Sequence, residues 1–234
     1  MVLICAETGL PIWDDKQPLP PISQLDSLGR LAVGELTVDR VLEAYPKGVF
    51  PWYSASEKFP ERKVWAALDP RYVLRADNFH CSKSLQKSMR KYEVRYDTAY
   101  AEVLTMCATI PRVDTEGNPC GTWIDADFQR VYTELHQRGY AHSVETFYQG
   151  ELVGGLMGIA IGSVFFGDSM FHTRSDASKV ALAHLVDMYK DGLIDCQMGT
   201  EHMIRMGAKG MPLEKFVKEI KVGVQKESLW KPTY

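Results

Sequence analysis

Two side chains near the C-terminal third have the types and spacing to do chemistry. Asp195 closes a short apolar run, Leu193-Ile194-Asp195-Cys196, and Gln197 follows two residues later. A carboxylate with an ordinary pKa near 3.9 is ionised at neutral pH, so it suits attracting and orienting a cation better than removing its proton. A carboxamide can donate to one group and accept from another. If the run is a strand that continues to Gln197, both side chains leave from the same side. Spacing alone equally allows a strand end whose Asp and Gln satisfy local backbone groups.

Other chemistries lack their residues. The chain has no phosphate-binding Gly-rich loop ending in Lys-Ser/Thr and no Gly-x-Ser-x-Gly elbow. The six histidines form no HExxH or paired-ligand motif, and His142 and His202 read as hydrogen-bonded structural residues. Cys5, Cys81, Cys107, Cys120 and Cys196 are odd in number and show no CxxC spacing, so they read as reduced thiols. No metal and no cofactor is expected.

The elements that must position Asp195 and Gln197 follow from periodicity. Val38, Val41, Leu42 and Tyr45 predict a helix with Thr37 as its cap and a stop at Pro46 to Gly48. Phe50-Pro51-Trp52-Tyr53 reads as a packed aromatic turn or a pocket wall, and residues 60–71 as an irregular connection. Ser82 opens a short basic helix, Val94 and Tyr96 predict a strand, and Tyr100, Val103, Leu104 and Cys107 share a helix face. A loop is expected over 110–121, then a helix capped by Asp125 and ended by Gly139. From residue 140 the pattern becomes an antiparallel meander: 143–147, a Gln149-Gly150 turn, 152–161, a bend at Gly162, and 164–167. Asp176 is expected to cap a helix over 177–190, ended by Gly192, and Leu213, Phe216, Val217 and Ile220 mark a last one. This order packs as an α+β fold, a mixed sheet flanked by helices. A small N-terminal domain (1–66) and a larger domain (67–234) are expected.

With 234 residues, 45% of them hydrophobic, the chain can bury a substantial core. Its net charge of −3 requires any nucleic acid to be met by a local basic surface. Between Arg71 and Arg112 there are eight Lys or Arg against four acids. Lys83, Lys87, Arg90, Lys91 and Arg95 cluster around the short helix, where Lys83, Lys87 and Arg90 or Lys91 can share one face. Such a run is commonly just a solvated face. The longest apolar stretch, 152–166, is too short to cross a bilayer and is broken by glycines, and no export signal is evident. A soluble cytoplasmic protein without membrane association is expected.

The stretch VFFGDSMFHTRSDASKVALAHLVDMYKDGLIDCQ at 164–197 resembles the hallmark of the leucyl/phenylalanyl-tRNA–protein transferases. GVFPWY at 48–53, DPRYVL at 69–74, GTWI at 121–124, GYAHSVE at 139–145 and GELVGG at 150–155 continue the resemblance in the family's order through most of the chain. The resemblance implies an aminoacyltransferase that moves Leu or Phe, and less readily Met, from aminoacyl-tRNA to the α-amino group of proteins with N-terminal Arg or Lys. In bacteria that product marks the acceptor for degradation, an N-degron pathway. The implied fold is a small N-terminal domain and a larger GNAT-like one, and a monomer is expected.

By the same resemblance Asp195 and Gln197 are the catalytic pair. Leu156, Phe165, Met170, Leu182, Leu185 and Ile194 line the aminoacyl side-chain pocket. Trp52 and Trp123, with Tyr45 nearby, hold the 3′-adenosine of the tRNA, and the basic helix meets its backbone. This sequence departs from the family pattern in having Leu156 and Leu185 where Met and Phe are common, and Asp168 where Glu is usual. Asp168 keeps the charge on an acidic turn but withdraws it by one methylene, from where it is expected to contact the aminoacyl amine or the basic acceptor end. The stretch from Trp65 to Arg71 also loses a tryptophan and a turn proline. Two other readings stay open: a GNAT-like N-acyltransferase using acyl-CoA, for which no pyrophosphate loop is present, and a tRNA-binding module without catalysis.

Overall fold

A computed structural model describes residues 3–14, 17–113, 119–120 and 122–231. Its N-terminal part is a three-stranded antiparallel sheet of β1 (Arg30–Glu35), β2 (Phe50–Ser54) and β3 (Arg62–Ala66), in the order β1-β3-β2. Helix α1 (Val38–Ala44) follows β1, and the Thr37 hydroxyl caps it by accepting from the Arg40 N–H. It ends in a 3-10 turn, Tyr45–Lys47, closed by Gly48 in the left-handed region at φ 79°.

Two sequence expectations change here. The 60–71 connection contains a strand, β3, and it is the central one. Its few residues carry little period of their own, but flanking strands on both sides satisfy its backbone, and Val64, Trp65 and Ala66 are fully buried. Phe50 to Tyr53 is likewise strand rather than turn. Pro51 is tolerated because β2 is an edge, where a missing N–H breaks no central ladder.

The larger part holds β4 (Arg71–Leu74), α2 (Lys83–Met89), β5 (Glu93–Tyr96), α3 (Tyr100–Thr109), β6 (Arg112–Val113), β7 (Pro119–Cys120) and α4 (Ala126–Gln137). It continues with β8 (Ala141–Tyr148), β9 (Glu151–Ile161), β10 (Val164–His172), α5 (Ala177–Met188), β11 (Leu193–Gln197), α6 (Glu201–Arg205), β12 (Lys209–Met211) and α7 (Leu213–Gly223). Of the loop expected over 110–121, residues 114–118 and 121 lie outside the described residues, and β6 and β7 pair across it. Seven strands form one mixed sheet in the order β12-β4-β11-β10-β9-β8-β5. Among the described residues only β10 and β11 run parallel within it, joined by α5 as the crossover that parallel strands need.

The meander β8-β9-β10 follows from local chemistry. Gln149 and Gly150 both take positive φ, 53° and 85°, as a two-residue hairpin turn requires. Alternation then sorts the two faces. Val144, Leu156, Phe165 and Ile194 pack with α5 in one core, whereas Ala141, Met157, Phe166 and Leu193 pack with α3, α4 and the N-terminal sheet in another. The N-terminal part therefore shares a core with one face of the large sheet. Asp176 does not cap α5 as expected: its backbone is left-handed (φ 66°), and its carboxylate accepts from Ser88 Oγ and Lys179 Nζ, each at 2.8 Å.

Candidate active site

The six apolar residues picked out by resemblance come together around one cavity of about 430 Å³. Leu156 comes from β9, Phe165 and Met170 from β10, Leu182 and Leu185 from α5, and Ile194 from β11. Phe165 can lie across β9 only because residue 158 is glycine. A Cβ there would stand 2.7 Å from Phe165 Cε1 and 2.1 Å from the Phe166 carbonyl oxygen. Met203 and His202, on α6, also line the cavity. Sequence reasoning missed that helix, although Thr200 caps it by accepting from the Met203 N–H and Gly207 (φ 106°) follows it.

The polar side of the cavity is built where two strands are interrupted. The β9–β10 register shifts between Gly167 and Ser169, which leaves Asp168 on a bulge. The β11–β4 register shifts between Asp195 and Gln197, and Gln197 takes φ 57°. Bulges re-aim side chains that a regular strand would keep in alternation. Here they bring Gln197 Nε2 to within 3.0 Å of Asp168 Oδ1, to which it donates. The expectation that Asp195 and Gln197 share a side through a continuing strand therefore fails, since the strand bulges between them, yet both residues still line the cavity.

Asp195 is also placed differently from the expectation of a carboxylate projecting toward a bound cation. It exposes no surface, and Arg71 holds both its oxygens, Nε to Oδ1 at 2.7 Å and Nη2 to Oδ2 at 2.6 Å. The Gln197 N–H donates to Oδ1 as well, at 2.9 Å. Arg71 itself is fully buried, with its guanidinium 4.7 Å from the Phe50 ring centroid and 4.9 Å from that of Phe216. A bidentate pair of this kind fixes the Asp195 side chain in place. Arg71 was absent from the expected site. Its signal was a charged residue opening the otherwise apolar strand Arg71-Tyr72-Val73-Leu74.

Asp168 is the perturbed acid. Burial is the main cause, with repulsion from Asp195 adding to it, and together they push its carboxyl up to about 7 against hydrogen bonds from Tyr45 and Gln197. The Tyr45 hydroxyl donates to Oδ1 at 2.6 Å, and the Tyr132 hydroxyl contacts that of Tyr45. Oδ2 is buried and has no hydrogen-bond partner among the described residues. Tyr45, expected near the adenosine, does not line the cavity. It is 1% exposed, packs edge-on against Phe166, and spends its hydroxyl behind the cavity.

Trp52 and Trp123 do border the cavity, beside Phe50 and Pro51. Trp65 is core: it is fully buried and edge-on to Trp13 at 4.9 Å. Helix α2 inserts Leu85 into the core behind the cavity and leaves Lys83 and Lys87 exposed, as are Arg90 and Lys91 after it. Arg95 differs from these four. It lies on β5, pairs with Glu93 at 2.7 Å and covers the Phe147 ring at 4.1 Å.

His142 is hydrogen-bonded as expected, through Nδ1 to Asp97 at 2.8 Å and Nε2 to the Gly139 carbonyl at 3.1 Å. The fold gathers Asp97, His136 and His142 with ligand atoms within 4.8 Å, a grouping that the sequence did not announce. Each already holds partners, Asp97 also accepting from the Ser143 N–H at 2.9 Å and His136 Nδ1 meeting the Ala141 carbonyl at 2.9 Å. His202 departs from expectation. Its Nε2 is buried without a partner among the described residues, and burial, then the nearby Lys179 charge, lowers its pKa.

Comparison with known proteins gives a consistent result. A family model described as leucyl/phenylalanyl-tRNA protein transferase matches residues 73–221, and a model of that protein's N-terminal domain matches residues 34–60. A leucyl/phenylalanyl-tRNA–protein transferase of Myxococcus xanthus is 43% identical over 218 residues, covering 89% of this chain and 90% of that one. A protein of the same description from Nitrosospira multiformis is 46% identical over 220 residues, covering 91% of each. Among solved structures, a functionally unknown conserved protein from Staphylococcus epidermidis covers 61% of this chain and 57% of its own, with a TM-score of 0.36 and 12% identity. A likeness at that level carries no argument.

Proposed function

Since the chain belongs to the leucyl/phenylalanyl-tRNA–protein transferase family, we propose that its cleft moves a leucyl or phenylalanyl group from aminoacyl-tRNA to the α-amino group of a protein beginning with Arg or Lys. The observation that carries the assignment of residues is the Gln197–Asp168 hydrogen bond at the mouth of the apolar cavity. An aminoacyl ester is already activated, so an amine can attack it directly. The protein must align the two, relieve the amine of a proton and hold the transferred side chain.

Each task has residues. The cavity takes an apolar side chain, whose burial contributes roughly 1.5–3 kcal/mol. Trp52 and Trp123 stack against the terminal adenosine. Because the Nε2 of Gln197 donates to Asp168, its Oε1 is left to accept from the acceptor amine. Asp168, matched to neutral pH, is the basic group behind that amide. The acceptor ammonium gives one proton to the base and then to solvent; as the new C–N bond forms and the ester C–O bond breaks, a second proton ends on the ribose oxygen and the third stays on the amide nitrogen. Asp195 acts from beneath as a positioning residue, locking the Gln197 backbone.

The exposed basic residues Lys83, Lys87, Arg90 and Lys91 are the surface offered to the tRNA backbone. The three-stranded sheet ends at Ala66 and the seven-stranded sheet begins at Arg71, which supports a division at 66/67. The single parallel pair in an otherwise antiparallel sheet supports a GNAT-like reading of the larger part. Among the described residues no helix is long and apolar enough to cross a membrane. Action in the cytoplasm as a monomer belongs to the same proposal. The test is to incubate the protein with individually charged Leu-, Phe- and Met-tRNA, or with acetyl-CoA, and a peptide beginning with Arg. Mass addition of Leu or Phe from tRNA is expected. Addition from acetyl-CoA alone, or tRNA binding without transfer, would replace the proposal.

A further inference from the structure

The mechanism leaves unused a segment that follows α7 and lies beyond the residue-221 limit of the family match. It crosses one end of the large sheet. The Leu229 N–H donates to the Gly162 carbonyl at 3.0 Å, at the β9–β10 turn. The Leu229 side chain covers Gly192 just before β11, where a Cβ would stand 2.8 Å from Leu229 Cδ1. Trp230 then reaches the opposite edge. Its indole N–H donates to Asp97 Oδ2 at 2.8 Å, and its ring stacks on His142 at 4.4 Å between centroids and 25° between planes.

Trp230 also meets Tyr96 edge-on at 6.2 Å, and it stacks on Phe165 at 5.8 Å and 23°. Phe165 is fully buried and forms a wall of the apolar cavity. Tyr189 abuts the same ring edge-on at 5.7 Å, and the bare Gly158 backbone lies against it. Trp230 therefore backs the ring against withdrawal from the cavity, and it is tied in place by its own hydrogen bond. Closely packed interiors transmit such a constraint, because a ring moves only when its support yields.

We propose that Trp230 is a positioning residue that sets the depth of the aminoacyl chamber through Phe165, so that the 224–231 segment is a strap governing which apolar side chain is transferred. This rests on the reading of the cavity as the side-chain site. The test is competition between equimolar Leu-tRNA and Phe-tRNA for an Arg-initiated peptide, read as the mass ratio of products. Trp230→Ala and the milder Trp230→Leu remove the ring, let Phe165 retreat and raise the Phe:Leu ratio by about tenfold, the lower end of the scale on which apolar pockets discriminate. Trp230→Phe restores a ring behind Phe165 and keeps the ratio within about twofold of the parent. An unchanged ratio in folded Trp230→Leu, or an equal shift in Trp230→Phe, would overturn the proposal. In the same assay Leu156→Ala, on the chamber wall itself, shifts the ratio independently of the strap. If it does not, the chamber reading fails and the strap falls with it, whereas a shift in Leu156→Ala alone overturns only the strap.

Discussion

Arg71 and Asp195 stand 124 residues apart in sequence and form a bidentate ion pair sealed from solvent, with side-chain exposures of 1% and 0%. The pair joins β4 to β11 directly beneath Gln197. Breaking it from one side leaves a buried charge alone. Arg71→Met is expected to lower stability by about 3–5 kcal/mol in urea unfolding. Arg71→Lys recovers only part of that, because an ammonium cannot span both oxygens as the guanidinium fork does. Asp195→Asn is expected to lose transfer while retaining tRNA binding in a filter assay.

Asp168 is expected to make stability fall as pH rises from about 4 to 7. Unfolded, its carboxyl titrates near 3.9, while in the fold it is pushed up to about 7. Between those values the native state holds a proton that the unfolded chain has released. Its favourable contribution is complete at pH 4 and is lost as pH rises through 7. Asp168→Asn removes that slope, which denaturation at pH 5 and pH 8 measures directly. The same substitution flattens the rise in transfer rate expected near pH 7.

Gln197 sits at φ 57°, so its side chain and its backbone are separable by substitution. Gln197→Gly suits that conformation and keeps the N–H to Asp195 but removes the amide. The turnover number is expected to drop about a hundredfold or more, as for loss of a group that accepts a proton in flight. Thermal stability should change little. Full activity in Gln197→Gly would remove this residue from the chemistry.

Trp52 and Trp123 are expected to act on donor binding. Truncating Trp52 or Trp123 to Ala is expected to weaken binding of an aminoacyl-adenosine by about 1–3 kcal/mol each, the scale of base stacking on an aromatic side chain. Trp65→Ala affects folding instead, since that ring is buried in the core. Titration calorimetry beside thermal unfolding separates the two effects.

Charge reversal of Lys83, Lys87 and Arg90 to Glu is expected to reduce tRNA affinity and flatten its dependence on salt, by a slope of about 0.7–0.9 for each phosphate no longer neutralised. Changing Arg95 instead should do less, because it is already paired with Glu93. Binding isotherms at several salt concentrations decide between them.

By itself the sequence determined the local architecture and the chemical inventory. Thr37, Ser82 and Asp125 each cap a helix through a hydroxyl or carboxylate whose partner lies three residues away, so the neighbouring chain suffices to specify them. The Gln149-Gly150 turn and the alternation of β8 to β10 are equally local, and the alternation put Leu156, Phe165 and Ile194 on one face. Period and polarity mark these residues only as core, and that they line a cavity was expected from the family resemblance alone.

Tertiary structure decided what those residues meet. Strand β3 exists because β1 and β2 flank it, and nothing in residues 62–66 announces that. Tyr45 meets Asp168 across 123 residues in a hydrogen bond that its own segment does not announce. The bulges at Asp168 and Cys196 arise from pairing with particular neighbours, and they turn Gln197 toward Asp168 while Arg71 claims Asp195. A carboxylate's role depends on its solvation and on the charge beside it. Both come only with closure of the chain, so the sequence supplied the two acids and the amide, and the fold divided the work among them.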